Sequence, residues 1–334
     1  MKGPSKVIGF FVIGLAFVLL LGCVGNAPSV PESKALQKVS IRFPIPTSEA
    51  AFASFYAAKE KGFYAEEGLD VTFNYGSPEL NPVKMVVTKA DDFGLAGGPD
   101  LVLTARGKGQ PVKALAVFHQ NANFVVLMTK ADSGLKALKD LEGKKVGFYY
   151  GHISTDILHS LFHKENVHVE EVDVGFDVSQ FIRGSIDAEF AFRQSQPLNL
   201  AAKGIQTNLI DPADYGVISH GYTLFAREDF IRENPVLVEK FVRATLRGLQ
   251  FSRQQPEESI DLLIKDNPQL DRTLELGRIP FYNTKVSTDP YGKMDHEMFQ
   301  MTLDRLMEEK VIEKPIVADD AFDASFVNKI DLRD

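Results

Sequence analysis

Short clusters that mix ring faces with hydrogen-bonding edges are the residues in this chain best suited to hold a small molecule. The densest is Tyr149-Tyr150-Gly151-His152-Ile153-Ser154-Thr155. Tyrosine offers a stacking face with a polar rim, and hydroxyl and imidazole groups both donate and accept. A flat heteroaromatic ligand needs this mix, with rings above and below and hydrogen bonds at its edge. The competing reading is a helix capped by Ser154 beside core aromatics. His152 taken alone reads as a satisfied structural histidine. Gly97-Gly98-Pro99-Asp100 is a second candidate. Its glycines let a ligand approach the backbone, and Pro99 opens a helix with free N–H groups. A plain strand-to-helix turn would use the same residues. Phe190 and Phe192 share one side of the strand Asp187–Arg193, because neighbours alternate. Either can be core, and Arg193 at the strand end faces a ligand or solvent. Phe52 near the start of the first helix, Asn81 and Tyr215 complete the set. Asn81 offers a donor and an acceptor to a ring edge, or caps the helix beginning at Pro82. Tyr215, like Tyr222, lies near a crossover and fits a hinge or a binding surface.

Signatures of catalysis are missing. His296-Glu297-Met298-Phe299-Gln300 lacks the second histidine of a zinc protease pair. His159 and His163 share a helix face with no third ligand in view. There is no GxSxG, Gly107-Lys108-Gly109 lacks the third glycine of a dinucleotide loop, and there is no GxxxxGK[ST] phosphate loop. Asp91-Asp92 and Glu170-Glu171 read as solvated pairs. The expectation is a chain with no catalytic residue, no metal and no bound cofactor.

The chain has one cysteine, Cys23, and it follows an apolar run. A single thiol makes no internal disulfide and no CxxC pair. Lys2 and Lys6 precede uncharged residues 7–22, a stretch shorter than the ~20 residues of a spanning helix. A basic start, a short apolar core and a small residue before the cut describe a secretory signal over residues 1–22. Leu20-Leu21-Gly22-Cys23 resembles the bacterial lipobox, which implies that Cys23 is lipidated and anchors the mature chain to the outer side of the cell membrane. Residues 23–37, small, polar and proline-bearing, read as a tether. Residues 23–334 carry a formal charge of −10. That argues against nucleic acid as a partner, since nucleic acid selects a basic stripe.

Beyond Lys38, short strands alternate with helices, the pattern of βαβ units and parallel sheets. The first helix spans 47–62, with Thr47 or Ser48 as its cap. The alternation restarts at "NFVVLMTK" and turns mainly helical after Arg227. One of those later helices places Leu237, Val238, Phe241, Val242, Thr245 and Leu249 on a single face. About 312 residues exceed one usual core, so two lobes are expected: residues 38–124 with 221–334, and residues 125–220. The crossovers "HQNANF" and "SHGYTLF" would be hinges.

"FYAAKEKGFYAEEGLDVTF", "KADDFGLAGGPDLVLTARGKGQPVKALA", "LKDLEGKKVGF" and "AREDFIRENPVLVEKFVRAT" resemble the periplasmic substrate-binding proteins of bacterial ABC importers. Within them the chain is similar to the branch that shares ancestry with a eukaryotic thiamine-pyrimidine synthase. That branch includes binders of thiamine pyrimidine precursors and riboflavin-binding lipoproteins. The resemblance implies an α/β, two-lobed type II binding-protein fold with a ligand cleft between the lobes. It implies ligand contacts in the Tyr149–Thr155 loop, and a membrane permease and a separate ATPase as partners. The cysteine-rich motif of the eukaryotic enzyme is absent, as is the tryptophan that pyrimidine binders carry near the first strand. The chain has no Trp at all. These departures favour a flavin, with riboflavin as the transported ligand, over a pyrimidine. An enzyme of pyrimidine or flavin metabolism on the same fold is the rival.

Overall fold

Short segments of four to six residues, apolar throughout in the central strands and alternating or polar at the sheet edges, become strands in the computed structural model, which describes residues 35–77, 79–150 and 153–332. The strands are β1 (Gln37–Arg42), β2 (Leu69–Asn74), β3 (Phe93–Ala96), β4 (Val112–Val117), β5 (Val125–Lys130), β6 (Lys145–Phe148), β7 (Glu170–Asp173), β8 (Ala188–Phe192), β9 (Thr207–Ile210) and β10 (Thr223–Arg227). They form two sheets, ordered β2-β1-β3-β10-β4 and β7-β6-β8-β5-β9. Two hydrophobic cores follow the sheets. One gathers residues from Val39 to Phe124 and from Leu224 to Ile330, and the other spans Val125 to Val217.

The sheets are mixed, not wholly parallel as the alternation suggested. β10 runs antiparallel to β3 and β4, and β5 runs antiparallel to β8 and β9. The reason is geometric. A parallel neighbour requires a helical crossover to return the chain to the same edge. The chain instead passes from β4 to β5, and from β9 to β10, through loops that join one sheet to the other. A strand entered in that way starts at the end of the sheet where its neighbours finish, β10 beside the carboxyl ends of β3 and β4, and β5 beside those of β8 and β9. The carboxyl ends of β1, β3 and β4 and those of β6, β8 and β9 therefore lie toward the two crossovers.

The first helix departs from expectation. Neither Thr47 nor Ser48 caps it. Ala50–Phe52 form a 3-10 turn leading into the helix Ala53–Glu60, and the capping position falls on Glu49 without a side-chain cap bond. Ser48 is buried, and the backbone N–H of Ala50 donates to Glu275 Oε2 at 2.7 Å. A carboxylate 225 residues away does the work that a local hydroxyl would do.

The helix Pro235–Gln254 buries the predicted face, Leu237 through Leu249. It lies against Ala53–Glu60, and Gly248 makes the close approach there: a Cβ at this position would sit 2.1 Å from the Ser54 carbonyl and 2.8 Å from Ala58 Cβ. Backbone cannot give way as a side-chain tip can. Gly248→Ala should therefore cost about 1–3 kcal/mol by overpacking, read as a fall in the denaturant midpoint with an unchanged m-value. Among the described residues no helix is long and apolar enough to cross a membrane. Cys23, the signal segment and most of the tether lie outside the described residues.

Candidate functional site

Ligands of open α/β sheets bind beyond the carboxyl ends of strands, and both sheets point such ends at the crossover region. On the first-lobe side, the loop after β1 brings Glu49, the loop after β4 brings His119 and Phe124, the second crossover brings Tyr222, and the helix Arg272–Asn283 brings Tyr282. The rings form one cluster. His119 lies 5.4 Å from Phe124, 6.0 Å from Tyr222 and 5.5 Å from Tyr282 between centroids. Phe124 and Tyr282 meet edge to face at 5.1 Å. Glu49 Oε1 accepts from the hydroxyls of both Tyr222 and Tyr282, each at 3.0 Å. Burial first, and the Glu49 charge second for Tyr222 and Tyr282 alike, hold both phenols well above their ordinary pKa, so they stay protonated donors. Burial pushes His119 down to about 3. Its imidazole is neutral, and Nδ1 has no hydrogen-bond partner among the described residues.

The second lobe supplies an aromatic wall. The ring of Tyr149 lies 4.4 Å from Phe176 and 6.0 Å from Phe190, and Phe176 lies 6.1 Å from Phe192. Phe176, in the loop after β7, is 48 % exposed, which is unusual for a phenylalanine this close to other rings. Phe192 packs against both hydrophobic cores. Gln194, just past β8, donates from Nε2 to the Tyr282 hydroxyl at 3.2 Å, and Arg278 Nη2 donates to Asn199 at 3.3 Å. These contacts join the two lobes beside the cluster. Among the described residues no group of three or more His, Cys, Asp or Glu side chains is placed to hold a metal ion.

The residues singled out from sequence fall into distinct places. Tyr149, Phe190 and Phe192 come together in the second-lobe wall, with Phe190 fully buried beneath the others. Tyr150 turns the opposite way, as a strand neighbour must. It stacks over Phe148, hydrogen-bonds Glu171 beside His159, and is held up at about 12 by that carboxylate, so it is no part of the wall. Ser154 and Thr155 are buried, and the Thr155 hydroxyl donates to the Tyr149 carbonyl at 2.6 Å, fixing the loop that carries the ring. Gly151 and His152 lie outside the described residues. Phe52 is completely buried, stacked on Phe43 at 4.4 Å with its edge toward Tyr222 at 5.6 Å. It backs the first-lobe wall and does not face a ligand. Gly97 and Gly98 form the turn after β3, where Gly98 precedes the helix Pro99–Gly107 in extended backbone.

Three candidates serve structure. Asn81 caps its helix, Oδ1 accepting from the Lys84 N–H at 2.9 Å. Arg193 donates from Nε to the Asn123 carbonyl at 2.8 Å and pairs with Asp211, which ties the first crossover to β8. The Tyr215 hydroxyl accepts from the Leu138 N–H at 3.1 Å inside the second lobe. Glu49, His119, Gln194 and Tyr282 were not singled out from sequence. His119 and Gln194 each sit two residues past a strand end, so the rule that drew attention to Gly97 and Tyr149 reaches them too. Tyr282 carries no sequence signal, because only the return of the C-terminal helices brings it here.

A family model described as NMT1/THI5 like matches residues 49–259. A riboflavin-binding protein from Chloroflexus aurantiacus is 26 % identical, covering 94 % of this chain and 96 % of its own length. A formylaminopyrimidine-binding protein from Halalkalibacterium halodurans is 28 % identical, over 92 % and 96 %. Among solved structures, the periplasmic aliphatic sulphonate binding protein SsuA from Escherichia coli superposes with a TM-score of 0.69 at 16 % identity, over 85 % of this chain and 91 % of that one. That likeness gives the two-lobed binding-protein fold. With its fold, its paired sheets and a matching model over most of its described length, the chain belongs to the NMT1/THI5-like family.

Proposed function

We propose that this protein is the substrate-binding lipoprotein of an ABC importer, held by lipid on Cys23 at the outer face of the cell membrane. It captures a flat heteroaromatic vitamin, riboflavin ahead of a thiamine pyrimidine precursor, and passes it unchanged to a permease driven by a separate ATPase. The observation that carries this reading is the pairing of two unlike walls. Tyr149, Phe176 and Phe192 gather their rings on one side, and on the other a half-buried Glu49 stands with the buried His119, Gln194 and Tyr282. An isoalloxazine has the same two sides, broad apolar faces and an edge of carbonyl and N–H groups. The names carried by the two relatives above support both ligand classes.

Capture would place the ring system against the second-lobe wall while the lobes stand apart. Closure then brings the first-lobe polar groups to its edge, so that contacts from both lobes reward one geometry. Nothing in this sequence of events breaks a covalent bond. Flavin absorbs and emits in the visible, where the protein's own side chains do not, so its fluorescence can be followed directly. Delipidated protein is expected to quench added riboflavin saturably, and to be stabilised against heat by it. Absence of quenching, together with thermal stabilisation by formylaminopyrimidine, would reverse the order of the ligands. Stabilisation by neither, or recovery of a chemically altered ligand, would remove the reading.

A further inference from the structure

The hydrogen bonds that cross between the lobes have a direction, and the direction has a consequence for the ligand. Glu49 is a carboxylate and can only accept. The Tyr282 hydroxyl at 3.0 Å from Oε1 therefore spends its proton on Glu49. What remains on the Tyr282 oxygen is acceptor capacity. Gln194 approaches that oxygen at 3.2 Å, so the group it presents there is its NH2, and its carbonyl is turned the other way. Gln194 is 4 % exposed, and Oε1 has no hydrogen-bond partner among the described residues. A buried acceptor left unpaired is costly. Here it sits beside the aromatic cluster, one residue from the crossover-binding Arg193.

Resting on the flavin reading above, we infer that Tyr282, held by Glu49, is a positioning residue that orients the Gln194 amide so that Oε1 reads an N–H donor on the ligand edge. The ligand class is then a lactam, imide or aminoheterocycle, and a ring whose edge carries only acceptors is rejected. Tyr282 comes from the helix Arg272–Asn283, beyond the residues matched by the family model. The same helix holds the loop after β1 through Glu275 on the Ala50 N–H, and reaches the second lobe through Arg278 and Asn199. Donor selection is in this way built by a helix outside the residues that the family model matches.

The test uses the delipidated protein, Tyr282→Phe and Gln194→Leu. Riboflavin and N3-methylriboflavin, which lacks the imide N–H, serve as probes in fluorescence titrations. The native chain should prefer riboflavin by about tenfold or more, the cost of an acceptor left unpaired. In Tyr282→Phe the Gln194 amide is no longer oriented. Riboflavin should then weaken about tenfold while the methylated probe changes by less than about twofold. Equal loss for both probes would mean that the phenol only packs, and would overturn the inference. A ligand-free arm separates the inference from the flavin reading. The Gln194 side-chain amide protons, assigned by their disappearance in Gln194→Leu, should be protected from exchange in the native chain and lose protection in Tyr282→Phe. Unchanged protection would sink the relay even if riboflavin binds. Lost protection without riboflavin binding would keep the relay and discard the flavin.

Discussion

Replacing Glu49 with alanine is expected to weaken ligand binding by about a hundredfold and to lower the stability of the ligand-free protein by roughly 1–3 kcal/mol. Both effects have one origin. Oε1 is the acceptor for the Tyr222 and Tyr282 hydroxyls, and Tyr282 is only 3 % exposed. Without the carboxylate, two phenol protons must find other acceptors, and the buried Tyr282 has few within reach. The rings then drift from the positions that frame His119 and Phe124, and the Tyr282 oxygen no longer fixes Gln194. Glu49→Gln is the informative companion. It keeps the volume and one acceptor, so it should restore most of the stability and only part of the affinity. Isothermal titration and chemical denaturation on the same samples separate the two quantities. An alanine variant that binds normally would show that the acid only props up the tyrosines and that the ligand contacts lie elsewhere.

Stability should peak in mildly acidic solution, near pH 6.5, and Glu189→Gln should flatten the alkaline side of that peak. Burial pushes His119 down to about 3 and His220 down to about 4, from 6.5 in the unfolded chain. A base with a depressed pKa binds its proton more readily when unfolded. The stability linked to both imidazoles is therefore complete above about pH 6.5 and is lost as the pH falls toward 4. Glu189 acts in the opposite direction. Its side chain is fully buried opposite Gly147 and Met128, both carboxyl oxygens lack a partner among the described residues, and burial, with Asp177 adding, raises it to about 8. The unfolded carboxyl ionises from about 4.5 upward while the folded one keeps its proton, so stability declines as the pH rises from 4.5 to 8. Below pH 6.5 the two histidines outweigh Glu189. Above it Glu189 sets the slope, together with Asp156 and Glu275, which burial also raises. Glu189→Gln should gain on the order of 3 kcal/mol over the native chain at pH 8 and little or nothing at pH 4.5. Urea midpoints at the two pH values decide it, and equal shifts at both would show that Glu189 is satisfied in a way its surroundings do not suggest.

The α/β class, the restart of the pattern at the second lobe and the apolar face of the helix Pro235–Gln254 could all be read from local periodicity. Each follows from side chains three, four or two residues apart, and those distances are written in the chain itself. Site residues at strand ends were partly legible for the same reason. Tyr149 and Phe192 sit where the chain leaves a strand, and so do His119 and Gln194, which the same rule reaches. Tyr149 and Tyr150 turn to opposite sides, as consecutive residues of an extended segment do, and only Tyr149 meets Phe176 and Phe190. Asn81, Arg193 and Tyr215 looked chemically able, yet their polar atoms are occupied by a cap, a crossover carbonyl and a distant backbone N–H. Nothing local distinguishes an occupied donor from a free one.

The sequence by itself determined which segments become strands and helices, and which family they belong to, because those depend on spacing along one chain. The tertiary structure alone decided strand direction at β5 and β10, the cap supplied to Ala50 by Glu275, and the meeting of Glu49, Gln194 and Tyr282. Each of these joins residues that a crossover or a returning helix brings together from far apart. The hydrogen bonds of a buried site are settled by whatever the fold leaves unpaired, and that is a property of the closed surface, not of any stretch of residues within it.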